Sequence, residues 1–295
     1  MNIRTVFNII ILDFIALLIV FGSFVLTNKR NKGIKTYDVP LNKFEPFTKY
    51  NILKKSNIDF KIQNDLPKIE AASAFYPFTA NLVQNIYSKE SYSKDLFNIV
   101  STNEAFYDVI NGKTDIAIVT GPSDEQKELI NNSNKELIFE LIYEEPLVVF
   151  VNRDNKINNL NIEQIQDIYN NNSLSWNTYQ LEENNGSQTC FESIVKDNII
   201  MNNHYEIKTM PEIIDEVAKN KNGIGYAFGS YYTKMHINNN TKLINVNNKG
   251  PNQTDYPLLF PVYMVYKIDN NNINIQKIAK WLQTNEGQDF IESIK

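Results

Sequence analysis

Three short segments rich in serine, threonine and glycine are the strongest candidates for chemistry in this chain. They read Ala72-Ser73-Ala74-Phe75, Ser101-Thr102-Asn103 and Asn185-Gly186-Ser187-Gln188-Thr189, and each precedes a predicted helix. The first turn of a helix has unpaired backbone N–H groups and a partial positive charge, so it binds anions without a basic side chain. For any one segment alone, ordinary helix capping is the simpler interpretation. Three of them in one chain favour a cleft that binds an oxyanion.

Catalysis by a nucleophile or a metal ion has little support in the sequence. Cys190 is the single cysteine, and it has no histidine close to it along the chain. A free cysteine is most often a small buried apolar residue. His204 and His236 stand among polar residues, which is typical of solvated histidines. No glycine-rich nucleotide-binding pattern occurs. The sequence therefore predicts a binding protein rather than an enzyme, with no metal site and no cofactor.

The composition narrows the class of protein further. The 295 residues suffice for one large domain or two of ordinary size, and 42% hydrophobic residues can form a real core. A net charge of -5 provides no basic excess to neutralise phosphates, which argues against nucleic-acid binding. A single cysteine excludes an intramolecular disulfide.

The amino-terminal segment predicts a membrane anchor. Residues 6–26 read VFNIIILDFIALLIVFGSFVL, which as a helix is long enough to cross a bilayer core. A cleaved signal peptide has a shorter apolar core and a small-x-small cleavage site, and no convincing site of that kind follows. We therefore favour an uncleaved anchor over residues 1–32, with a cleaved signal peptide as the alternative. A polar, proline-containing stretch, 33–65, is predicted to be a linker.

The charges that flank the apolar run predict a membrane orientation. Arg4 precedes the apolar run, whereas Lys29, Arg30 and Lys32 follow it. Positive residues favour the cytoplasmic side, so these charges by themselves would keep the body of the protein inside the cell. This orientation is the opposite of the one expected of a protein that captures solutes outside the cell.

Downstream of residue 65, short strand and helix patterns alternate. The strands are short apolar runs, and the helices have apolar residues at three- and four-residue spacing. This alternation predicts an α/β fold with mostly parallel strands. The predicted strands are 97–100, 115–119, 138–143, 147–151, 224–228 and 261–266, and the predicted helices are 77–87, 104–111, 124–131, 162–169, 189–195, 211–219, 275–284 and 288–294.

Six motifs occur in a recognisable order between residue 66 and the carboxyl terminus. They are NGKTDIAIVTGPSDEQ, EEPLVVFVNRDNKINNLNIEQIQDIYNNNSLSWNTY, NNGSQTCFE, NGIGYAFGSYY, YPLLFPVYMVYK and WLQTNEGQDFIE. Each is weak alone, but the ordered set resembles the phosphate-type substrate-binding proteins of ABC transporters. NNGSQT, for example, is similar to the S-G-S-Q-T loop of that family.

The resemblance implies a type II, two-lobed α/β fold like that of periplasmic binding proteins, with a ligand cleft between the lobes and an added amino-terminal transmembrane helix. Residues 66–150 and 225–295 would form lobe 1, and residues 151–224 would form lobe 2. The segments 146–151 and 224–228 would be hinge strands, and closure would be a hinge motion.

The resemblance also assigns the predicted site. Ser73 with Ala74 matches the family's first anion loop, Thr102 matches the second, and Asn185, Gly186 and Ser187 match the third.

Three departures from the family pattern put tight phosphate binding in question. The family's Asp-Gly-Ser is Glu70-Ala71-Ala72 here, its phosphate-pairing arginine aligns with Leu181, and its acidic position after the strand is Gly121. Lys113 and Arg153 are candidate replacements for the missing positive charge.

Two functions follow from these observations. The first is a membrane-tethered, extracytoplasmic substrate-binding protein for phosphate or a related small oxyanion, which would deliver its ligand to an ABC permease. The alternative is a relative with the same binding fold and a lost or changed ligand, acting as a sensor or interaction domain. The serine, threonine and glycine loops favour the first, and the missing arginine and acidic residue favour the second.

Overall fold

Alternating strands and helices make up the part of the chain that the structure describes. The structure is a computed structural model that describes residues 36–38, 41–170, 175–195 and 204–294. The chain separates into two units, Met1–Lys35 and Thr36–Lys295, and only the second contains described residues. The apolar run predicted to be an anchor therefore lies outside the described residues. Among those that are described, no helix combines the length and apolar character needed to span a membrane.

The elements follow the predicted alternation, with several additional short strands. The strands are β1 (Thr36–Asp38), β2 (Ile69–Ala72), β3 (Phe97–Val100), β4 (Ile116–Thr120), β5 (Leu137–Asn152), β6 (Asn159–Leu160), β7 (Asn177–Leu181), β8 (His204–Ile207), β9 (Gly223–Phe228), β10 (His236–Asn238), β11 (Thr241–Leu243), β12 (Asn245–Val246) and β13 (Leu259–Lys267). The α-helices are α1 (Tyr76–Ile86), α2 (Thr102–Ile110), α3 (Asp124–Asn132), α4 (Ile162–Asn170), α5 (Gly186–Val195), α6 (Met210–Lys219), α7 (Ile273–Leu282) and α8 (Asn285–Ile294).

Eight strands form one continuous path in the order β3-β2-β4-β13-β5-β9-β7-β8. β2 pairs in parallel with β3 and β4, and β7 pairs in parallel with β8 and β9. We call β2–β4, β13 and α1–α3 the first lobe, and β7–β9 and α4–α6 the second lobe. Parallel strands need long crossover connections, and helices supply them here. The predicted two-lobed α/β architecture is therefore present.

The 16-residue strand β5 connects the two lobes. Its first part pairs antiparallel with β13 as far as Pro146, and Leu147–Val151 pairs antiparallel with β9. The sequence predicted two strands, 138–143 and 147–151. They are one strand because residues 144–146 also pair with β13.

Strand burial explains why the central strands appear in the sequence as continuous apolar runs. All five residues of β4 and all six of β9 are buried. Strands covered on both faces lack the alternation of a half-exposed strand. The helices are amphipathic instead, and in α6 the buried face includes Ile213, Ile214 and Val217. This core fixes the ends of the strands and the starts of the helices that follow them.

The stretch predicted to be a linker differs from that expectation, because residues 41–65 pack against the first lobe. Phe44 and Leu53 are buried. The side chains of Asn81 and Asn85 on α1 accept hydrogen bonds from the backbone N–H groups of Lys54 (2.7 Å) and Ser56 (2.8 Å). These amides satisfy an extended backbone that belongs to no sheet.

The predicted lobe boundaries stay a prediction. β11 pairs with residues 150–152 of β5, and β12 pairs with β6. Part of the range predicted for lobe 1, 225–295, therefore hydrogen-bonds to strands between residues 150 and 160. β1 pairs antiparallel with β10 through backbone hydrogen bonds.

Candidate functional site

Four strand–helix junctions converge on one cleft of about 450 Å³. Two of them follow β2 and β3 in the first lobe, and two follow β7 and β8 in the second lobe. In open α/β folds, ligands bind outside the carboxyl ends of the strands, where the helix N-termini are. The cleft brings together all six residues predicted to bind ligand, whose binding role stays a prediction. They are Ser73, Ala74, Thr102, Asn185, Gly186 and Ser187.

The first segment leaves polar groups available in the cleft. Ser73–Phe75 forms a 3-10 turn that runs directly into α1, and no side chain caps the start of either helix. Ala72 occupies the cap position of the turn and has no side-chain acceptor. The hydroxyl of Ser73 is half-buried and makes no hydrogen bond to any described residue. Ser73 can therefore donate to a bound anion.

The second segment is divided between a cap and a contact across the cleft. Ser101 caps α2 by accepting a hydrogen bond from the backbone N–H of Glu104 at 3.1 Å. The hydroxyl of the buried Thr102 accepts a hydrogen bond from the backbone N–H of Gly186 at 3.2 Å. This bond joins the first lobe to the second.

The third segment has most of its donors occupied by protein groups. The side-chain oxygen of Asn185 accepts hydrogen bonds from the backbone N–H of Ser187 at 3.1 Å and from its hydroxyl at 2.9 Å. The N–H of Gly186 is bonded to Thr102. The start of α5 therefore offers an anion fewer free donors than the sequence pattern suggested.

A fourth junction supplies a positive charge that the sequence analysis did not identify. Lys208 and Thr209 line the cleft between β8 and α6, and Thr209 stands at the cap position of α6 without a side-chain capping hydrogen bond. The lysine is exposed, so its ammonium group is free to approach a ligand. The Thr-Met-Pro sequence, which is typical of a helix start, could have indicated this fourth junction.

The two residues proposed to replace the family arginine lie elsewhere. Lys113 pairs with Asp108 at 3.0 Å, and Arg153 donates a hydrogen bond to the backbone oxygen of Asn239 at 2.9 Å. Neither lines the cleft. Each is held by its own neighbours, so Lys208 is the better candidate for the cleft charge.

Two of the positions that depart from the family pattern, Leu181 and Gly121, have different surroundings: the first is buried in the core, and the second has free space beside it. Leu181 is buried, and its backbone N–H donates to Gln188 Oε1 at 3.1 Å and to the hydroxyl of Tyr226 at 3.2 Å. Gly121 has open space around it, since a Cβ there would meet no atom within 4 Å. Leu181 and Gly121 thus provide no charge, whereas Glu70 is paired with Lys68 at 3.1 Å.

Further contacts hold the lobes together beside the cleft. The hydroxyl of Ser123, which caps α3, donates to Asn184 Oδ1 at 2.7 Å, and Gln126 Nε2 donates to the backbone oxygen of Asn184 at 3.0 Å. Thr120 Oγ1 lies 3.2 Å from Cys190 Sγ. The loops after β4 and β7 are therefore in direct contact.

The structure gives Cys190 and His236 packing roles. Cys190 is buried, and burial raises the pKa of its thiol to about 12. His236 is buried rather than solvated as predicted, because its Nε2 lies 2.9 Å from Oδ1 of Asp215. The side chain of His204 lies outside the described residues. No group of three or more potential metal ligands occurs among the residues with described positions.

A larger cavity of about 590 Å³ adjoins the crossover of β5 and is lined by Glu145, Ser230 and Lys234. Burial raises the pKa of Glu145, although the N–H of Ser230, which donates to its Oε1 at 2.7 Å, and the nearby Lys234 oppose the shift. Burial also lowers the pKa of Lys234. Of the parallel strands among the described residues, β9 alone has its carboxyl end near this cavity, so we favour the cleft as the ligand site.

Comparison with known proteins agrees with this architecture. A family model described as a PBP superfamily domain matches residues 67–291. No sequence match was found among curated proteins.

Several solved structures share the fold. The chain is similar to a candidate phosphate ABC transporter substrate-binding protein with bound phosphate from Clostridium perfringens, with a TM-score of 0.56, 17% identity, and coverage of 76% of this chain and 96% of that chain. It is similar to an ABC-type phosphate transport receptor from Vibrio cholerae, with a TM-score of 0.51, 15% identity, and coverage of 79% of this chain and 98% of that chain. It is also similar to an OxyR mutant from Corynebacterium glutamicum, with a TM-score of 0.54, 10% identity, and coverage of 81% of this chain and 68% of that chain. At these identities the similarity shows the fold alone.

Proposed function

The chain belongs to the PBP superfamily, and from this membership we propose that it is a membrane-tethered, extracytoplasmic substrate-binding protein for phosphate or a related small oxyanion. It would deliver the ligand to an ABC permease. The observation that carries the proposal is the convergence of four strand–helix junctions on one cleft between the lobes. The resemblance in fold to two phosphate-transport proteins supports the choice of ligand class.

The cleft would hold an oxyanion through a small set of groups. Ser73 would donate its hydroxyl hydrogen, and Lys208 would supply the positive charge that an arginine provides in the family motif. The uncapped starts of α1 and α6, each with a proline in its first turn, would add their remaining backbone N–H groups. A hydrogen bond to a charged group contributes about 1.5–3 kcal/mol, so losing one donor would weaken binding measurably.

Calorimetric titration of the full chain in detergent tests the ligand. We expect heat of binding with at least one of phosphate, sulfate, molybdate and tungstate. Ser73→Ala should weaken that binding, and Ser293→Ala, an exposed serine on α8, is the matched control. An unchanged affinity in Ser73→Ala would contradict the assignment of the first loop.

Protease treatment of intact cells tests the membrane arrangement. An extracytoplasmic body should be degraded by added protease, whereas an intracellular control protein should survive. A protected body would exclude the transport function, because the protein would face the cytoplasm as its flanking charges suggest.

A second candidate function is a sensor or interaction domain with a lost or changed ligand. One observation favours it: Thr102 and Asn185 already accept hydrogen bonds from the donors of the third anion loop. No heat and no thermal shift with any of the four oxyanions would favour this candidate over the transport protein.

A further inference from the structure

The cleft has more room than a bare oxyanion fills. Its volume of about 450 Å³ lies within the range of roughly 300–1,000 Å³ that is typical of pockets for whole organic ligands. Phosphate has five non-hydrogen atoms. If each of them is given the volume of a whole water molecule, about 30 Å³, the ion occupies roughly 150 Å³. Most of the cleft is thus available to atoms outside the anionic group.

Apolar side chains from both lobes line this room. Ile99 and Val100 at the end of β3 and Pro211 at the start of α6 are each half-buried and line the cleft. Phe75 and Phe228 also line it, but both are already buried, and their ring centroids lie 5.0 Å apart. Covering half-exposed apolar surface with an apolar ligand group is favourable, because it removes that surface from water.

The polar groups that remain for a ligand are few. The N–H groups of Gly186 and Ser187 donate to protein oxygens. Ser73, the ammonium group of Lys208 and the uncapped starts of α1 and α6 are left. This set suits one anionic head group rather than an ion surrounded by donors on all sides.

We infer that the ligand is an organic anion, with one phosphate- or carboxylate-type head group joined to an apolar group. The head group binds near Ser73 and Lys208, and the apolar group covers Val100 and Pro211. This inference rests on the proposed function, because it specifies the ligand class of the same cleft.

Titration of the full chain in detergent micelles with inorganic phosphate and phenyl phosphate tests the inference. We expect phenyl phosphate to bind at least tenfold more tightly. Equal or tighter binding of inorganic phosphate would overturn the inference and leave the proposed function intact. No binding of either anion would overturn the inference, and the proposed function would fall with it if sulfate, molybdate and tungstate also failed to bind.

Two variants separate the head-group and apolar parts of the site. Val100→Phe should fill the apolar room, so that the Kd for phenyl phosphate rises at least tenfold while that for inorganic phosphate changes less than twofold. Lys208→Ala should weaken both anions, and Lys156→Ala, an exposed lysine outside the cleft, should change neither. Unchanged phenyl phosphate affinity in a folded Val100→Phe protein, with circular dichroism matching the parent, would overturn the inference.

Discussion

Replacing Gly186 with alanine should force the two lobes apart. A Cβ at this position would lie 2.8 Å from Oγ1 of Thr102 and 2.9 Å from Cγ2 of Thr120. Both threonines belong to the first lobe and are buried. A β-branched side chain has few alternative rotamers, so neither can move aside easily. The start of α5 must therefore withdraw from the first lobe.

The size of this effect follows from two losses. Overpacking a close-packed site costs about 1–3 kcal/mol. The hydrogen bond from Gly186 to Thr102 contributes about 0.5–1.5 kcal/mol more. Together they disfavour the closed arrangement by about 1.5–4.5 kcal/mol, which at about 1.4 kcal/mol per factor of ten shifts the equilibrium roughly ten- to a thousandfold towards an open one.

Single-molecule energy transfer between the lobes measures this shift. Tyr107 on α2 and Tyr205 on β8 are 49% and 54% exposed, so both can be replaced by cysteine and labelled, whereas the native Cys190 is buried. Gly186→Ala should lower the transfer efficiency. Gly121→Ala is the matched control, because its Cβ meets nothing within 4 Å. Parent-like efficiency in Gly186→Ala, or equal opening in Gly121→Ala, would refute the reasoning.

Three further outcomes are expected. Asn184→Gly keeps the positive φ of 63° but removes the side-chain oxygen that accepts the hydrogen bond from Ser123. The equilibrium between closed and open arrangements, measured by the same energy transfer, should therefore shift towards the open one by about 0.5–1.5 kcal/mol. An unchanged transfer efficiency would show that this contact does not hold the lobes together. Cys190, whose pKa burial raises to about 12, should resist iodoacetamide at pH 8 until the protein is unfolded, and rapid alkylation of the native protein would contradict its burial. Tyr226→Phe removes a buried hydroxyl that accepts from the N–H of Leu181, which keeps its second acceptor, Gln188 Oε1, so urea unfolding should show that the free energy of unfolding falls by about 0.5–1.5 kcal/mol; an unchanged midpoint would contradict that role.

The fold was largely predictable because local signals and burial agree. Residues 115–119 are a continuous apolar run, and β4 is buried along its whole length. A helix was predicted to begin at residue 124, and α3 does begin there, because Ser123 forms a capping box with Gln126. Residues 144–146 were predicted to separate two strands, because two glutamates and a proline are typical of a strand end. Pairing with β13, which is distant in sequence, makes them part of a strand.

The site was predictable only in part. Three of its four junctions were visible, because helix starts carry serine, threonine, asparagine or glycine. Lys208 was missed because β8, which precedes it, was not predicted. β8 lies at the end of the strand order, and its described side chains are largely exposed, so it lacks an apolar run. The bond between Gly186 and Thr102 joins residues 84 positions apart, and no local pattern predicts such a contact.

Anomalous diffraction from crystals of the full chain grown with tungstate would test the central claim most directly, because tungsten marks the position of a bound oxyanion. We predict one strong peak in the cleft, within hydrogen-bonding distance of Ser73 and Lys208. A peak only in the cavity beside Glu145 and Lys234, or no peak in the cleft, would contradict the account.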